Sequence, residues 1–254
     1  MREPASLLEV YSIVCPISKN VCADGRGDAT LDIRWLTEYA VQAVLGEAMD
    51  ETTFRRVTDL VAAIEARPFP RMREAVPAYC TVTVYFPPLS DRERGAVEAW
   101  LRERMRDASA ARGGEPRVRI VDIPVEYGGE CGPDLAFVAA HNGIREEDVI
   151  RIHCSRTYPV HMIGFLPGFP YLGRVSDRIA APRKSVPRPL VPAGSVGIAG
   201  NQTGIYPTPS PGGWQIIGRT PLVLFDPNRE PPNLLSPGDR VRFVPMRPQH
   251  GSAT

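Results

Sequence analysis

Val191-Pro192-Ala193-Gly194-Ser195-Val196-Gly197-Ile198-Ala199-Gly200, running on to Gln202-Thr203-Gly204-Ile205-Tyr206-Pro207, is the stretch that decides the fold. Its β-formers come a few at a time, each group closed by a glycine or a proline. Glycine supplies positive φ and close backbone approach, and proline fixes φ and interrupts a strand ladder. A chain written this way makes short strands with tight corners. The same texture runs from Thr157 onward, and 17 of the 27 prolines fall between residues 151 and 254. Apart from Pro231-Pro232 they stand singly among β-formers, so they mark turns and not a disordered Pro tract. Many short strands at such spacing close into a barrel or a sandwich.

Upstream, Val118, Ile120 and Ile123 carry β character. Two short helices follow: the first is opened by Pro133 and Asp134 and stopped by Gly143, and the second runs from about Glu146 to His153. Residues 107–116, Asp-Ala-Ser-Ala-Ala-Arg-Gly-Gly-Glu-Pro, read as a linker. Before them Leu31, Ile33 and Trp35 alternate, as do Tyr39, Val41, Ala43 and Leu45, the period of a strand pair. Asp50 caps a helix with Phe54, Val57, Leu60, Val61 and Ile64 at helical spacing, ended by Pro68. A strand near 73–76 leads to a second at Val82, Val84 and Phe86. Ser90-Asp91-Arg92-Glu93 is a capping box before the stripe Val97, Trp100, Leu101, Met105. The order over residues 31–106 is β-β-α-β-β-α, one α+β unit. Residues 1–30 read as an N-terminal extension and 247–254 as a tail.

Composition removes several function classes. At 43% hydrophobic and 23% charged the chain can bury a core, and its 254 residues suit one large domain or two small ones. No run approaches the roughly 18 apolar residues of a membrane span, and Met1-Arg2-Glu3-Pro4 does not open a secretory signal. A net charge of +1 gives no bulk attraction to nucleic acid. The expected setting is cytoplasmic, with neither membrane nor nucleic acid as partner. Five cysteines form no C-x-x-C pair, against a disulfide framework or zinc knuckle. Lys19 and Lys184 are the only lysines, and neither follows a glycine as a P-loop requires. No H-E-x-x-H, G-x-S-x-G or strand-following G-x-G-x-x-G occurs. The four histidines lack metal spacing, so no metal site is expected. Residues 156–190 hold six bases against one acid, Asp177, and are the natural place to meet an anion.

A long ordered run identifies the C-terminal half. Ile123-Pro124-Val125, Tyr127-Gly128-Gly129-Glu130 and Gly132-Pro133-Asp134-Leu135 come first. Gly164-Phe165-Leu166-Pro167-Gly168-Phe169-Pro170-Tyr171-Leu172-Gly173 follows, then the stretch quoted at the outset. Ser210-Pro211-Gly212-Gly213-Trp214-Gln215, Ile217-Gly218-Arg219-Thr220-Pro221, Leu224-Phe225-Asp226-Pro227 and Pro237-Gly238-Asp239-Arg240-Val241 complete it. Together these closely resemble the family that includes the B subunit of 5-oxoprolinase, the Kip kinase inhibitor and allophanate hydrolase subunit 1. They are also similar to part of the carboxyltransferase domain of urea carboxylase. The resemblance implies a small α+β N-terminal domain followed, over residues 117–246, by an all-β cyclophilin-like barrel. Members commonly carry a Phe at the place of Cys131 and an aromatic at that of His161.

The implied activity is that of one component of an ATP-dependent 5-oxoprolinase, opening 5-oxo-L-proline to L-glutamate. ATP with Mg would act at the level of the complex. The implied partner is an allophanate hydrolase subunit 2-like protein, the C-type subunit of 5-oxoprolinase, with room for a further subunit of that enzyme. The alternatives are an inhibitor that binds a sensor histidine kinase, and a component of an allophanate hydrolase or urea carboxylase. Candidate catalytic residues are His153, at a helix end where the dipole favours an imidazolium, and Arg183. Phe165, Phe169 and Tyr171 are candidates for an apolar cleft wall. Ser195, Gln202, Thr203 and Tyr206 offer hydrogen bonds between glycines. Arg188, Trp214 and Arg219 complete the binding set, Arg188 through the bidentate fork that suits a carboxylate or phosphate.

Overall fold

In the computed structural model residues 32–48, 50–110 and 118–246 are described. The extension 1–30, Leu31, most of the expected linker and the tail 247–254 lie outside them. The first unit runs β1 (Asp32–Thr37), β2 (Ala40–Val44), α1 (Glu51–Ala66), β3 (Glu74–Pro77), β4 (Thr81–Tyr85) and α2 (Asp91–Ala110). Its strands form an antiparallel sheet in the order β1-β2-β4-β3. In the β2–β4 register Val41 faces Val84 and Ala43 faces Val82, so alternate residues of both strands share one apolar face. That face is covered by Val57, Leu60 and Ile64 of α1 and by Val97, Leu101 and Met105 of α2. Between these positions Gln42 and Thr83 pair across the strands, with Gln42 Nε2 donating to Thr83 Oγ1 at 3.2 Å.

Both helix starts follow their sequence signals. The Asp50 carboxylate accepts the Thr53 N–H at 2.7 Å. Ser90 and Glu93 close a reciprocal box, the Ser90 N–H donating to Glu93 Oε2 at 2.8 Å. The end of α2 differs from the sequence reading, for the helix continues through residues 107–110, the opening of the expected linker. Ala108 is buried there and Asp107 pairs with Arg104 at 3.2 Å, which sustains the last turn through Ala110.

In the second unit β5 (Ile120–Tyr127), β6 (Thr157–Ile163), β7 (Pro170–Arg174), β9 (Ser195–Ala199), β10 (Gln202–Ile205), β12 (Gln215–Arg219) and β13 (Arg240–Pro245) close a barrel in the order β10-β7-β6-β13-β5-β12-β9. Only β5 and β13 pair in parallel within it. Strands β8 (Arg188–Val191) and β11 (Ser210–Gly212) form a separate ribbon. This unit is not all-β. Helices α3 (Leu135–His141) and α4 (Glu146–Cys154) pack on the barrel and join its core, Leu135, Val138, Val149 and Ile152 meeting Ile123, Val125, Tyr158 and Phe243. The strands supply one apolar face, and the helices cover what would otherwise face water.

The two units touch through a few specific contacts. His161 of β6 lies between Phe54, at 5.0 Å between ring centres, and Tyr79, at 5.4 Å. The Tyr79 hydroxyl accepts from Gln202 Nε2 at 2.6 Å, and Arg240 pairs with Glu51. Among the described residues no helix is long and apolar enough to cross a membrane.

Candidate functional site

The expected site residues separate into four places. Phe169, Tyr171, Tyr206 and Trp214 come together with Val191 and Ile216 as a buried apolar cluster beside the barrel. Phe169 is its centre, with edge-on contacts to Tyr206 at 5.3 Å and Trp214 at 5.6 Å. Gly204 is required under it: a Cβ there would stand 3.1 Å from both the Phe169 and Trp214 rings. Two groups open this cluster to solvent. Phe165 sits edge-on to Phe169 at 5.6 Å and is 60% exposed, and the Arg183 guanidinium lies over the Trp214 ring at 5.9 Å. Phe165 holds φ at 70°, a region a bulky side chain rarely enters, so the loop imposes this presentation against local preference.

Arg188 lies close by, but its charge is already met within the protein. Its Nη2 donates to Asp134 Oδ1 at 2.6 Å, and Lys184 Nζ reaches the same oxygen at 3.3 Å. The other oxygen of Asp134 accepts the Ile216 N–H at 2.7 Å. Burial pushes the Asp134 carboxyl up, yet Arg188, the Ile216 amide and Lys184 together outweigh it and hold the group below the usual carboxylate range. Asp134 opens α3, as its sequence position suggests. It is the N-cap residue but makes no side-chain cap bond, because its carboxylate is turned to the cations. Lys184 is a charge-bearing neighbour of Arg183 and Arg188 in the sequence, whereas Asp134 does not stand among the candidate site residues. The signal for it is the six-to-one excess of bases over residues 156–190, which calls for a counter-charge from elsewhere in the chain.

His153 and Thr203 belong to the barrel interior and not to a cleft. Both are fully buried. Thr203 Oγ1 donates to the Gly197 carbonyl at 3.0 Å, so it accepts from His153 Nε2–H, also at 3.0 Å. Nδ1 is then the acceptor for the Tyr127 hydroxyl at 2.7 Å. The ring stacks on Phe243 at 4.3 Å. Burial pushes this imidazole down to about 3, outweighing the helix dipole that favours its protonated form. With both nitrogens used, the ring is held neutral and has no free position for a substrate.

The remaining candidates lie apart. Ser195 is buried, its carbonyl accepting the Tyr206 N–H at 2.9 Å. Gln202 reaches the first unit through Tyr79. Arg219 donates to Cys131 Sγ at 3.2 Å, in a hollow of about 220 Å³ lined also by Glu126, Thr220 and Met246. Among the described residues, the expected candidates that come together with exposed groups are those of the aromatic cluster edged by Phe165 and Arg183, next to a cationic loop anchored on Asp134.

Comparison with known proteins agrees with this architecture. The family model described as carboxyltransferase domain, subdomain C and D, matches residues 31–235. The 5-oxoprolinase B subunit of Bacillus subtilis (strain 168) is 48% identical over 221 residues, 84% of this chain and 91% of that one. The solved structure of TTHA0988 superimposes with a TM-score of 0.70 at 39% identity over 85% of this chain, which spans only 40% of that longer polypeptide. The Kluyveromyces lactis urea carboxylase shares the fold at TM-score 0.67 and 21% identity, over 85% of this chain and 22% of its own. The chain belongs to the carboxyltransferase subdomain C and D family, in the branch of the 5-oxoprolinase B subunits.

Proposed function

We propose that this chain is one component of an ATP-dependent 5-oxoprolinase and that it acts in the cytoplasm with a partner of the enzyme's C type. The observation that carries the reading is the 48% identity to the B. subtilis 5-oxoprolinase B subunit, sustained over 91% of that protein. The length of the TTHA0988 chain beyond the matched part supports a partner, since the homologous region there is one piece of a larger polypeptide.

The chemistry of such a reaction is demanding because a lactam carbonyl is a poor electrophile. Transfer of the γ-phosphoryl group of ATP to the amide oxygen would release ADP and leave an activated carbon. Water would then add at that carbon, the ring C–N bond would open to leave a γ-acyl phosphate and the free amine, and a second water would displace phosphate, giving glutamate. ATP is here a co-substrate. The cationic loop around Lys184 and Arg188 suits an anionic oxygen group of either reactant. A magnesium ion would be held chiefly by the phosphates of ATP, at the level of the complex.

The role of this chain would be to bind and orient, with Phe165 and the Trp214 cluster giving an apolar wall and Arg183 a charge at its rim. Co-expression of the full chain with the C-type partner, followed by an ATPase assay with and without 5-oxo-L-proline, tests the proposal. Substrate-dependent ATP hydrolysis should appear only in the assembled complex, with glutamate formed in step with ADP. An assembled complex with no response to 5-oxo-L-proline would refute the substrate. Robust turnover by the isolated chain would refute its dependence on a partner.

A further inference from the structure

The Asp134 carboxylate is outnumbered. It stands against Lys184 and Arg188, so the three groups carry a net single positive charge, while Asp177, the one acid of residues 156–190, pairs with Arg174 at 3.6 Å. The loop is pinned twice. The backbone N–H of Lys184 donates to the Gly213 carbonyl at 2.8 Å, next to Trp214, and the two side chains reach down to the buried carboxylate. Arg188 keeps a donor unused, its Nη1 being buried with no acceptor among the described residues. The Lys184 contact is long, shares its oxygen with Arg188, and leaves the side chain 33% exposed. An ammonium so placed can turn toward a second anion without abandoning the first.

We propose that Asp134 is a positioning residue that sets the loop 182–190 as one wall of a site for a carboxylate or phosphate group. The contacting cations are Lys184 and Arg188, with Arg183 over the Trp214 ring at the edge. The inference deepens the proposed function and rests on it only for which anion is taken. A buried carboxylate is suited to this work because it holds two flexible cationic chains in one geometry before a ligand arrives, which lowers the ordering cost of binding. It also differs from plain charge compensation in a way that can be measured, because removing the negative charge makes the site more cationic.

The test uses the full chain labelled with ¹⁵N and follows the three indole N–H signals during titration with inorganic phosphate and, separately, with 5-oxo-L-proline. Trp35 and Trp100 are internal references, their indoles being tied to Glu98 and to the Arg67 carbonyl in the first unit. The Trp214 signal should move with at least one probe while the other two stay fixed, and the probe that moves it identifies phosphate or carboxylate as the source. Lys184→Met should weaken that binding by about 10-fold, the scale of one charge-assisted hydrogen bond. Asp134→Asn should weaken it by about as much despite the added positive charge, with partial recovery in Asp134→Glu. Binding that tightens or is unchanged in Asp134→Asn would show that the carboxylate only neutralises, and would overturn the positioning role. Should Asp134→Asn lose its dispersed spectrum, unaltered binding in Lys184→Met would overturn the site by itself. A Trp214 signal indifferent to both probes would also overturn it. Activity of the assembled complex is a separate readout: phosphate binding without 5-oxoprolinase turnover would leave this site standing and refute the substrate.

Discussion

Two polar clusters in the second unit, one neutral around His153 and one charged around Asp134, do opposite things. Around His153 every hydrogen-bonding group has a protein partner: Tyr127 serves Nδ1, Thr203 serves Nε2, and Thr203 donates its own O–H to the Gly197 carbonyl. Around Asp134 the charges do not balance, one cation is partly exposed, and one guanidinium donor lacks an acceptor among the described residues. A closed cluster of this kind stabilises a core because nothing in it remains to be satisfied. An open one is where a ligand can add contacts. The difference explains why a histidine at a helix end, a candidate catalytic residue from sequence, is a structural residue here. The acid that opens the preceding helix instead holds two cations that remain partly exposed.

The largest effect that would break this comparison belongs to His153. Its replacement by alanine empties a fully buried ring site and removes the histidine partner of the Tyr127 and Thr203 hydroxyls, so the chain should lose about 3–5 kcal/mol of stability. Urea unfolding followed by circular dichroism measures it, and a loss under about 1 kcal/mol would mean that the closed network is not structural.

Acid titration sharpens the same point. Burial pushes His153 down to about 3, and burial with the nearby Arg240 charge pushes His161 down to about 4. Both are neutral in the folded protein, while in the unfolded chain they take up a proton near pH 6.5. The unfolded state therefore binds more protons, and stability rises with pH. Their contribution is complete above about pH 6.5 and is lost as pH falls toward 4 for His161 and 3 for His153. Each histidine should cost about 1.4 kcal/mol per pH unit within its window. His161→Phe keeps an aromatic ring between Phe54 and Tyr79 and should remove one histidine's share of the slope. Unfolding free energies measured from about pH 7 to about pH 4.5 check this, and an unchanged slope in the variant would contradict it.

The smallest effect concerns the contact between the units. Tyr79→Phe leaves the ring against His161 and deletes the oxygen that accepts from Gln202. A loss of about 1 kcal/mol is expected, with faster hydrogen exchange at Gln202 and Thr203 than at β12. Uniform exchange across both strands would show that the contact does not couple the units.

Sequence legibility divides along the same line. In the first unit the period-two strands, the Asp50 cap and the Ser90–Glu93 box all appear where the residues placed them, because each signal acts within a few positions of itself. The overrun of α2 through 107–110 came from a tertiary fact, the burial of Ala108. For the site, the aromatic set of Phe165, Phe169, Tyr171, Tyr206 and Trp214 was legible and does converge. The polar set was not. Thr203 and Ser195 lie on the neighbouring strands β10 and β9, and which face of a closed barrel each would turn to depends on register, which bulges shift at β6, β7 and β12.

By itself the sequence determined the α+β order of the first unit, the short-stranded closed second unit and the family, since turn chemistry, periodicity and motif spacing are local properties. Only the tertiary structure decided the partners of the charges. Asp134 meets Lys184 and Arg188 across 50 or more positions of chain, and Tyr127 meets His153 across 26. Whether a charged or polar side chain is closed off or left open to a ligand is fixed by what the fold brings beside it. Composition can state the imbalance of charge, but folding chooses the counter-ion.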